Sequence, residues 1–163
     1  MRYVMRQKLL AWGDDFTIQT EDGASAYLVD GKAISLGAKA SFQDMEGNEL
    51  AYISQKFLSL IPTYEIYRGG ELVAVIKKEI FTFFHCRFTV DVPGPDDLTA
   101  EGDLTDHEYV IRRGEAMVAA VSKKWFAWTD TYGVDVAAGE DPVLPLVCAV
   151  VIDLACHDDR NRR

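Results

Sequence analysis

Val143-Leu144-Pro145-Leu146-Val147-Cys148-Ala149-Val150-Val151-Ile152-Asp153-Leu154-Ala155-Cys156 is the stretch on which the fold turns. Asp141 and Pro142 before it resemble a helix start, and Pro145 fits a first-turn proline. A helix is therefore expected from Pro142 to Cys156. Its portion from Pro145 onward extends about 18 Å at a rise of ~1.5 Å per residue. The segment is apolar around nearly its whole circumference, and a helix without a polar face has to be covered on all sides. One sheet packed against it would leave half of it in water. A β-barrel wrapped around it covers it completely. The run is too short to cross a bilayer, which takes roughly 20 apolar residues, and Asp153 interrupts it. Asp153 itself is expected near the open end of the barrel, or paired with a lysine, an arginine or backbone N–H groups, because buried charges are rarely left unsatisfied. His157-Asp158-Asp159-Arg160-Asn161-Arg162-Arg163 reads as charged and solvated, with arginines suited to a helix C-terminal end. The expected organisation is one barrel domain over residues 1–157 and a polar tail over 158–163.

The rest of the chain supplies strands. Turn signals come at short spacing: Asp22-Gly23, Asp30-Gly31, Glu46-Gly47-Asn48, Gly69-Gly70, Arg113-Gly114 and Gly139. Asp-Gly and Gly-Gly pairs supply the positive φ angles of tight hairpins. Between them lies period-two alternation, clearest from Phe84 to Val92. There Phe84, Cys86, Phe88, Val90 and Val92 share one face, and His85, Arg87, Thr89 and Asp91 share the other. Tyr64–Tyr67, Gly133–Val136 and Phe16–Gln19 behave similarly. About a dozen short strands fit, which predicts a mainly β fold, an antiparallel β-barrel around a buried C-terminal α-helix. A weak internal repeat supports it. Gly47-Asn48-Glu49-Leu50 leads to Lys56, Gly69-Gly70-Glu71-Leu72 to Lys78, and Gly114-Glu115-Ala116-Met117 to Lys123. The first glycines are 22 and then 45 residues apart, as if one copy between them were missing.

Composition bounds the function. The chain has 163 residues, 48% of them apolar, which is one domain with a sizeable core. A net charge of −9 argues against a general nucleic-acid binder. The N-terminus, Met1-Arg2-Tyr3-Val4-Met5-Arg6-Gln7-Lys8, has no uninterrupted apolar region of the secretory type. Cys86, Cys148 and Cys156 are an odd number in a chain large enough to fold without disulfides, which favours a reducing compartment. The expectation is a soluble, cytoplasmic protein.

A barrel of hairpins closed on an apolar C-terminal helix resembles the tubby C-terminal-like superfamily. Within it, the sequence is similar to the bacterial branch of the LURP-one-related family. The residues that carry the resemblance are Ser41-Phe42-Gln43-Asp44 before Gly47-Asn48-Glu49-Leu50, and Phe88-Thr89-Val90-Asp91-Val92-Pro93-Gly94-Pro95-Asp96-Asp97-Leu98. Asp106-His107-Glu108-Tyr109, Val121-Ser122-Lys123, Asp130-Thr131-Tyr132-Gly133-Val134-Asp135 and Ala149-Val150-Val151-Ile152-Asp153-Leu154 complete it. The resemblance implies little about activity. Plant members are linked to defence, and bacterial members are largely uncharacterised. Related tubby domains bind phosphoinositide head groups, and related scramblases act at membranes. Neither property carries over residue by residue, since no tubby lipid-site motif aligns here and scramblases add a membrane-anchoring segment.

The candidate chemistry is sparse. His85, His107 and His157 have no metal-ligand spacing, and Cys148 and Cys156 are not a CxxC pair. Residues 88–111 contain Asp91, Asp96, Asp97, Glu101, Asp103, Asp106 and Glu108 but no Lys or Arg; they lack the alternating ligands of an EF-hand and read as a solvated acidic loop, with metal binding as the alternative. No GxGxxG, Walker loop or GxSxG occurs. No cofactor is expected. Basic residues cluster at Lys77-Lys78, Arg112-Arg113 and Lys123-Lys124. In a strand, only one of each pair can point outward. Lys56, Lys78 and Lys123, at matching places in the repeats, form the candidate anionic head-group patch. The expectation is a non-enzymatic binding domain whose partner is a phospholipid head group, met peripherally, or a protein. The alternative is an enzyme with a surface active site of unrecognised type.

Overall fold

The computed structural model describes residues 1–6, 15–34, 37–82, 85–127 and 130–161. Among them run β1 (Arg2–Arg6), β2 (Phe16–Thr20), β3 (Ser25–Ile34), β4 (Gly37–Asp44), β5 (Glu49–Gln55) and β6 (Thr63–Arg68). Then come β7 (Glu71–Thr82), β8 (His85–Asp91), β9 (Leu98–Asp103), β10 (Glu108–Arg113), β11 (Ala116–Ser122), β12 (Thr131–Val136) and the helix α1 (Val143–Asn161). Each strand pairs antiparallel with the next. β12 returns to β1, with Arg2 opposite Asp135 and Arg6 opposite Thr131, so the twelve strands close into a barrel.

The expected alternation decides what faces inward. Phe16 and Ile18 of β2, Ala38, Ala40 and Phe42 of β4, Tyr64 and Ile66 of β6, and Phe88 and Val90 of β8 are all buried. Directly opposite inward residues often pair a large side chain with an alanine: Phe42 with Ala51, Ile66 with Ala74, Phe88 with Ala100, and Ile111 with both Ala100 and Ala119. The alanines leave a bore for an object about 10–12 Å across, the diameter of a helix with its side chains. α1 fills it. Every residue from Leu146 to Cys156 is buried, with no polar face among them apart from Asp153. The helix starts where the sequence indicates. The Asp141 carboxylate accepts a hydrogen bond from the Val143 amide at 3.1 Å, and Pro145 sits in the first turn, where an amide would have no acceptor. It ends later than expected. α1 continues to Asn161, so residues 158–161 are helix and not tail. Once formed, a helix gains one hydrogen bond per added residue, and beyond the barrel it no longer needs apolar side chains.

The repeat corresponds to hairpins β4–β5, β6–β7 and β10–β11, whose turns hold Gly47, Gly69-Gly70 and Gly114. Each hairpin carries a register shift just before its turn, at Phe42/Gln43, Ile66/Tyr67 and Ile111/Arg112. At Gly69 and Gly70 both φ angles are positive, 58° and 82°, as a two-residue hairpin turn requires. The missing copy is β8–β9, which is joined through Pro93-Gly94-Pro95 and pairs in unbroken register.

An antiparallel barrel has two kinds of end. At one, here the turn end, lie the tight connections after β2, β4, β6, β8 and β10 and the approach to α1. At the other, the loop end, β1, β3, β5, β7, β9 and β11 finish, and α1 emerges.

Candidate functional site

Lysine placement separates the two ends, although Arg2, Arg68, Arg112 and Arg113 lie toward the turn end and Asp15, Asp106 and Asp130 lie in loop-end connections. The connections at the turn end carry Glu21, Asp22, Glu46, Asp96, Asp97, Glu115, Glu140 and Asp141, and no lysine. Every described lysine lies in the half nearer the loop end: Lys32 late in β3, Lys39 early in β4, Lys56 just after β5, Lys77 and Lys78 in the second half of β7, and Lys123 and Lys124 just after β11. The repeat spacing thus does bring the exits of β5, β7 and β11 to one end.

It does not bring the three lysines into one patch. β7 is twelve residues long, so Lys78 falls inside the strand, on the same inward side as Ala74 and Ile76, and is only 6% exposed. Its neighbour Lys77 takes the outer side and is bonded to Asp91 at 2.7 Å. Lys56 and Lys123 follow β5 and β11, six places apart in a ring of twelve, on opposite sides of the rim. No single head group can touch both. Lys56 is 3.5 Å from Glu65, and Lys124, whose side chain is 81% exposed, is 3.7 Å from Glu108. Burial alone would raise the Glu108 carboxyl, but bonds from the Ser122 hydroxyl and the Lys124 and Lys123 amides outweigh it and hold it below its ordinary value. That anchors the start of the β11–β12 connection, which doubles back along the outer wall. A Cβ on Gly133 would lie 2.7 Å from the Trp125 ring, and the Arg2 guanidinium sits 4.2 Å from that ring's centre.

The β5–β6 connection does the opposite. Phe57, Leu58, Leu60 and Ile61 are 60%, 90%, 104% and 40% exposed, the densest run of bare apolar side chains among the described residues. Its base is pinned: the Lys56 amide donates to the Thr63 carbonyl at 2.9 Å, the Lys78 amide donates to the Pro62 carbonyl at 3.1 Å, and the Ser59 and Thr63 hydroxyls are 2.9 Å apart. Sequence reading passed over this loop. The available signal was Phe57-Leu58-Ser59-Leu60-Ile61-Pro62, which lacks alternation and is too long for a tight turn.

The interior holds one polar cluster. Asp153 is buried near the loop end, the open end considered from sequence, and its partner there is a histidine, not a lysine, an arginine or backbone amides. His107 Nε2 is 2.5 Å from Asp153 Oδ1, and the Tyr132 hydroxyl donates to Oδ2 at 3.4 Å. The His107 and Tyr132 rings stack with centroids 4.3 Å apart. His107 belongs to the β9–β10 connection and has a positive φ of 55°. Its Nδ1 and the Tyr109 hydroxyl find no hydrogen-bond partner among the described residues. With His107 and Asp153 at 1% and 2% exposure, the cluster ties the loop end to α1 and offers no face to a substrate. Burial pushes the Tyr109 and Tyr132 hydroxyls well up and the Cys148 thiol to about 12, so none of them is an activated nucleophile. The side chains of His85, Cys86 and His157 lie outside the described residues.

Most of the acidic side chains between Asp91 and Glu108 are engaged by their own chain. Asp91 pairs with Lys77 and Glu101 with Arg87; Asp97 accepts from the Val92 amide and Asp103 from the Thr105 hydroxyl and the Asp106 amide. Among the described residues no three His, Cys, Asp or Glu side chains converge as a metal site. On the outer wall a polar cavity of about 240 Å³ is lined by Asp30, Lys39, Ser41, Gln43, Glu49 and Tyr52. Two carboxylates against one lysine make it unsuited to an anion. Among the described residues, no helix is long and apolar enough to cross a membrane.

The solved structure of an Arabidopsis thaliana protein superposes over 98% of this chain and 91% of its own, with a TM-score of 0.64 at 18% identity, a likeness of fold alone. The uncharacterized protein YxjI of Bacillus subtilis (strain 168) is 33% identical over 157 residues, covering 96% of this chain and 94% of that protein. The profile of LURP-one-related proteins matches residues 1–153. A twelve-stranded barrel plugged by its own C-terminal helix, matched over nearly its whole length in both sequence and shape, places this chain in the LURP-one-related family.

Proposed function

We propose that the protein is a non-enzymatic binding domain that meets an anionic lipid surface peripherally, with its loop end. The observation that carries this reading is the placement of every described lysine in the half of the barrel nearer that end. A filled bore supports it too, since a helix-packed interior leaves no central pocket for a substrate. The separation of Lys56 from Lys123 and Lys124 across the rim argues for a planar surface and against a single head-group pocket. A chain of net charge −9 is repelled by such a surface as a whole, so the segregation serves to orient it. Each basic residue near an anionic membrane contributes about 1 kcal/mol. Lys56, Lys123 and Lys124 together supply ~3 kcal/mol, a millimolar contact. The Lys56 and Lys124 side chains are themselves exposed and their ion pairs with Glu65 and Glu108 are long, 3.5 and 3.7 Å, so exchanging them for phosphate costs little.

The test is co-sedimentation with phosphatidylcholine vesicles, with and without phosphatidylserine, as salt rises from roughly 0.03 to 0.1 M. Over that range the screening length falls from about 18 to about 10 Å. Binding should require phosphatidylserine, weaken with salt, and be lost in the Lys56→Glu/Lys123→Glu/Lys124→Glu variant. Binding that ignores salt or survives in that variant removes the basic rim from consideration. Absence of binding, with a protein retained stoichiometrically instead, moves the reading to a protein partner.

A further inference from the structure

We infer that the β5–β6 connection, Lys56 to Pro62, is a membrane-insertion element whose Phe57, Leu58, Leu60 and Ile61 side chains enter the apolar layer of an anionic bilayer. The inference rests on the proposed lipid-surface reading and specifies how the loop end would hold that surface. Three observations carry it. First, charge leaves the contact in the millimolar range, so a second source of affinity is needed, and apolar burial is the one this end offers. Second, the apolar residues stand out from the fold. Leu58 and Leu60, at 90% and 104% exposure, touch almost nothing of their own chain. Soluble proteins rarely leave such a run in water without a use for it. Third, the loop is held in shape at its base by the Lys56–Thr63, Lys78–Pro62 and Ser59–Thr63 hydrogen bonds, so insertion does not have to order it.

The chemistry of the flanks selects the occupant. Lys56 stands at the foot of the loop, where a lysine meets lipid phosphates while the adjacent leucines lie deeper. A second copy of this chain could cover the loop only by bringing another apolar surface to it, such as its own copy of the same loop. A bilayer needs no matching groove and accepts a convex apolar tip.

The experiment places an environment-sensitive nitrobenzoxadiazole label on a Leu60→Cys variant, with the identically treated parent protein as background. It is mixed with phosphatidylcholine/phosphatidylserine vesicles carrying doxyl-quencher lipids in the acyl chains. Insertion predicts a blue-shifted, quenched label on anionic vesicles and an unquenched one without phosphatidylserine. The unlabelled Leu58→Ser/Leu60→Ser variant should fold with an unchanged melt, since both side chains are in water already. It should partition at least about tenfold more weakly while keeping its salt dependence. Vesicle binding with an unquenched label overturns insertion and leaves the basic-rim reading standing. Failure of the parent protein to bind any anionic vesicle overturns both. A parent protein that is dimeric by sedimentation and becomes monomeric in the Leu58→Ser/Leu60→Ser variant assigns the loop to a second copy and also overturns insertion.

Discussion

Removing the Asp153 carboxylate tests whether the buried cluster locks α1 to the loop end. Asp153→Leu keeps the side chain's approximate size and takes away the group 2.5 Å from His107 Nε2. His107 is 1% exposed and its Nδ1 already lacks a partner among the described residues, so the variant leaves both ring nitrogens unsatisfied. The Tyr132 hydroxyl, fully buried, loses its weaker 3.4 Å bond as well. Each buried group stranded in this way costs about 1–3 kcal/mol. The sum, about 3–5 kcal/mol, matches what breaking one partner of a buried pair usually costs. For a domain stable by roughly 5–15 kcal/mol, that is a large fraction. A double-mutant cycle with His107→Phe isolates the pair. Phe at a positive φ adds its own backbone cost, but that cost occurs in both His107→Phe variants and cancels in the cycle. Urea unfolding of the four proteins should give a coupling energy of about 2–3 kcal/mol, with the double variant more stable than additivity allows. An Asp153→Leu variant within about 0.5 kcal/mol of the parent, or a coupling near zero, would refute the lock.

Two further outcomes follow from the same packing. Val150 is fully buried at the middle of α1, so Val150→Asp should abolish cooperative folding, because an unpaired buried charge costs several kcal/mol; a soluble variant with a near-parental thermal melt contradicts the plugged barrel. Glu108 has a folded-state pKa below its ordinary 4.5, so its hydrogen bonds stabilise the fold above that value and are lost as pH falls through the depressed one. Acid titration of Glu108→Gln should accordingly show a shallower loss of stability below about pH 4.5 than the parent; parallel curves would remove Glu108 from that role.

The barrel itself was legible along the chain because its rules are local. Alternation placed Phe88 and Val90 inside, Gly69-Gly70 marked a hairpin, and an all-apolar helix demanded a wrapping sheet. Those signals depend on a residue and its near neighbours, so they survive without the tertiary structure. The pairing of Asp153 with His107 did not, because the two are 46 residues apart and meet only when the β9–β10 connection closes over α1. Lys78 was read as a strand exit since its distance from Gly69 matches that of Lys56 from Gly47. Pairing with β8 carries β7 past Lys78, so Lys78 stays within the strand, and the alternation that buries Ala74 and Ile76 points it inward too. The same holds for Phe57 to Ile61. By composition they are core residues, and only the closed barrel, already full, leaves them in water. Sequence determined which residues could face inward. The tertiary structure decided which of them found room there, because the bore has a finite volume and the helix took it.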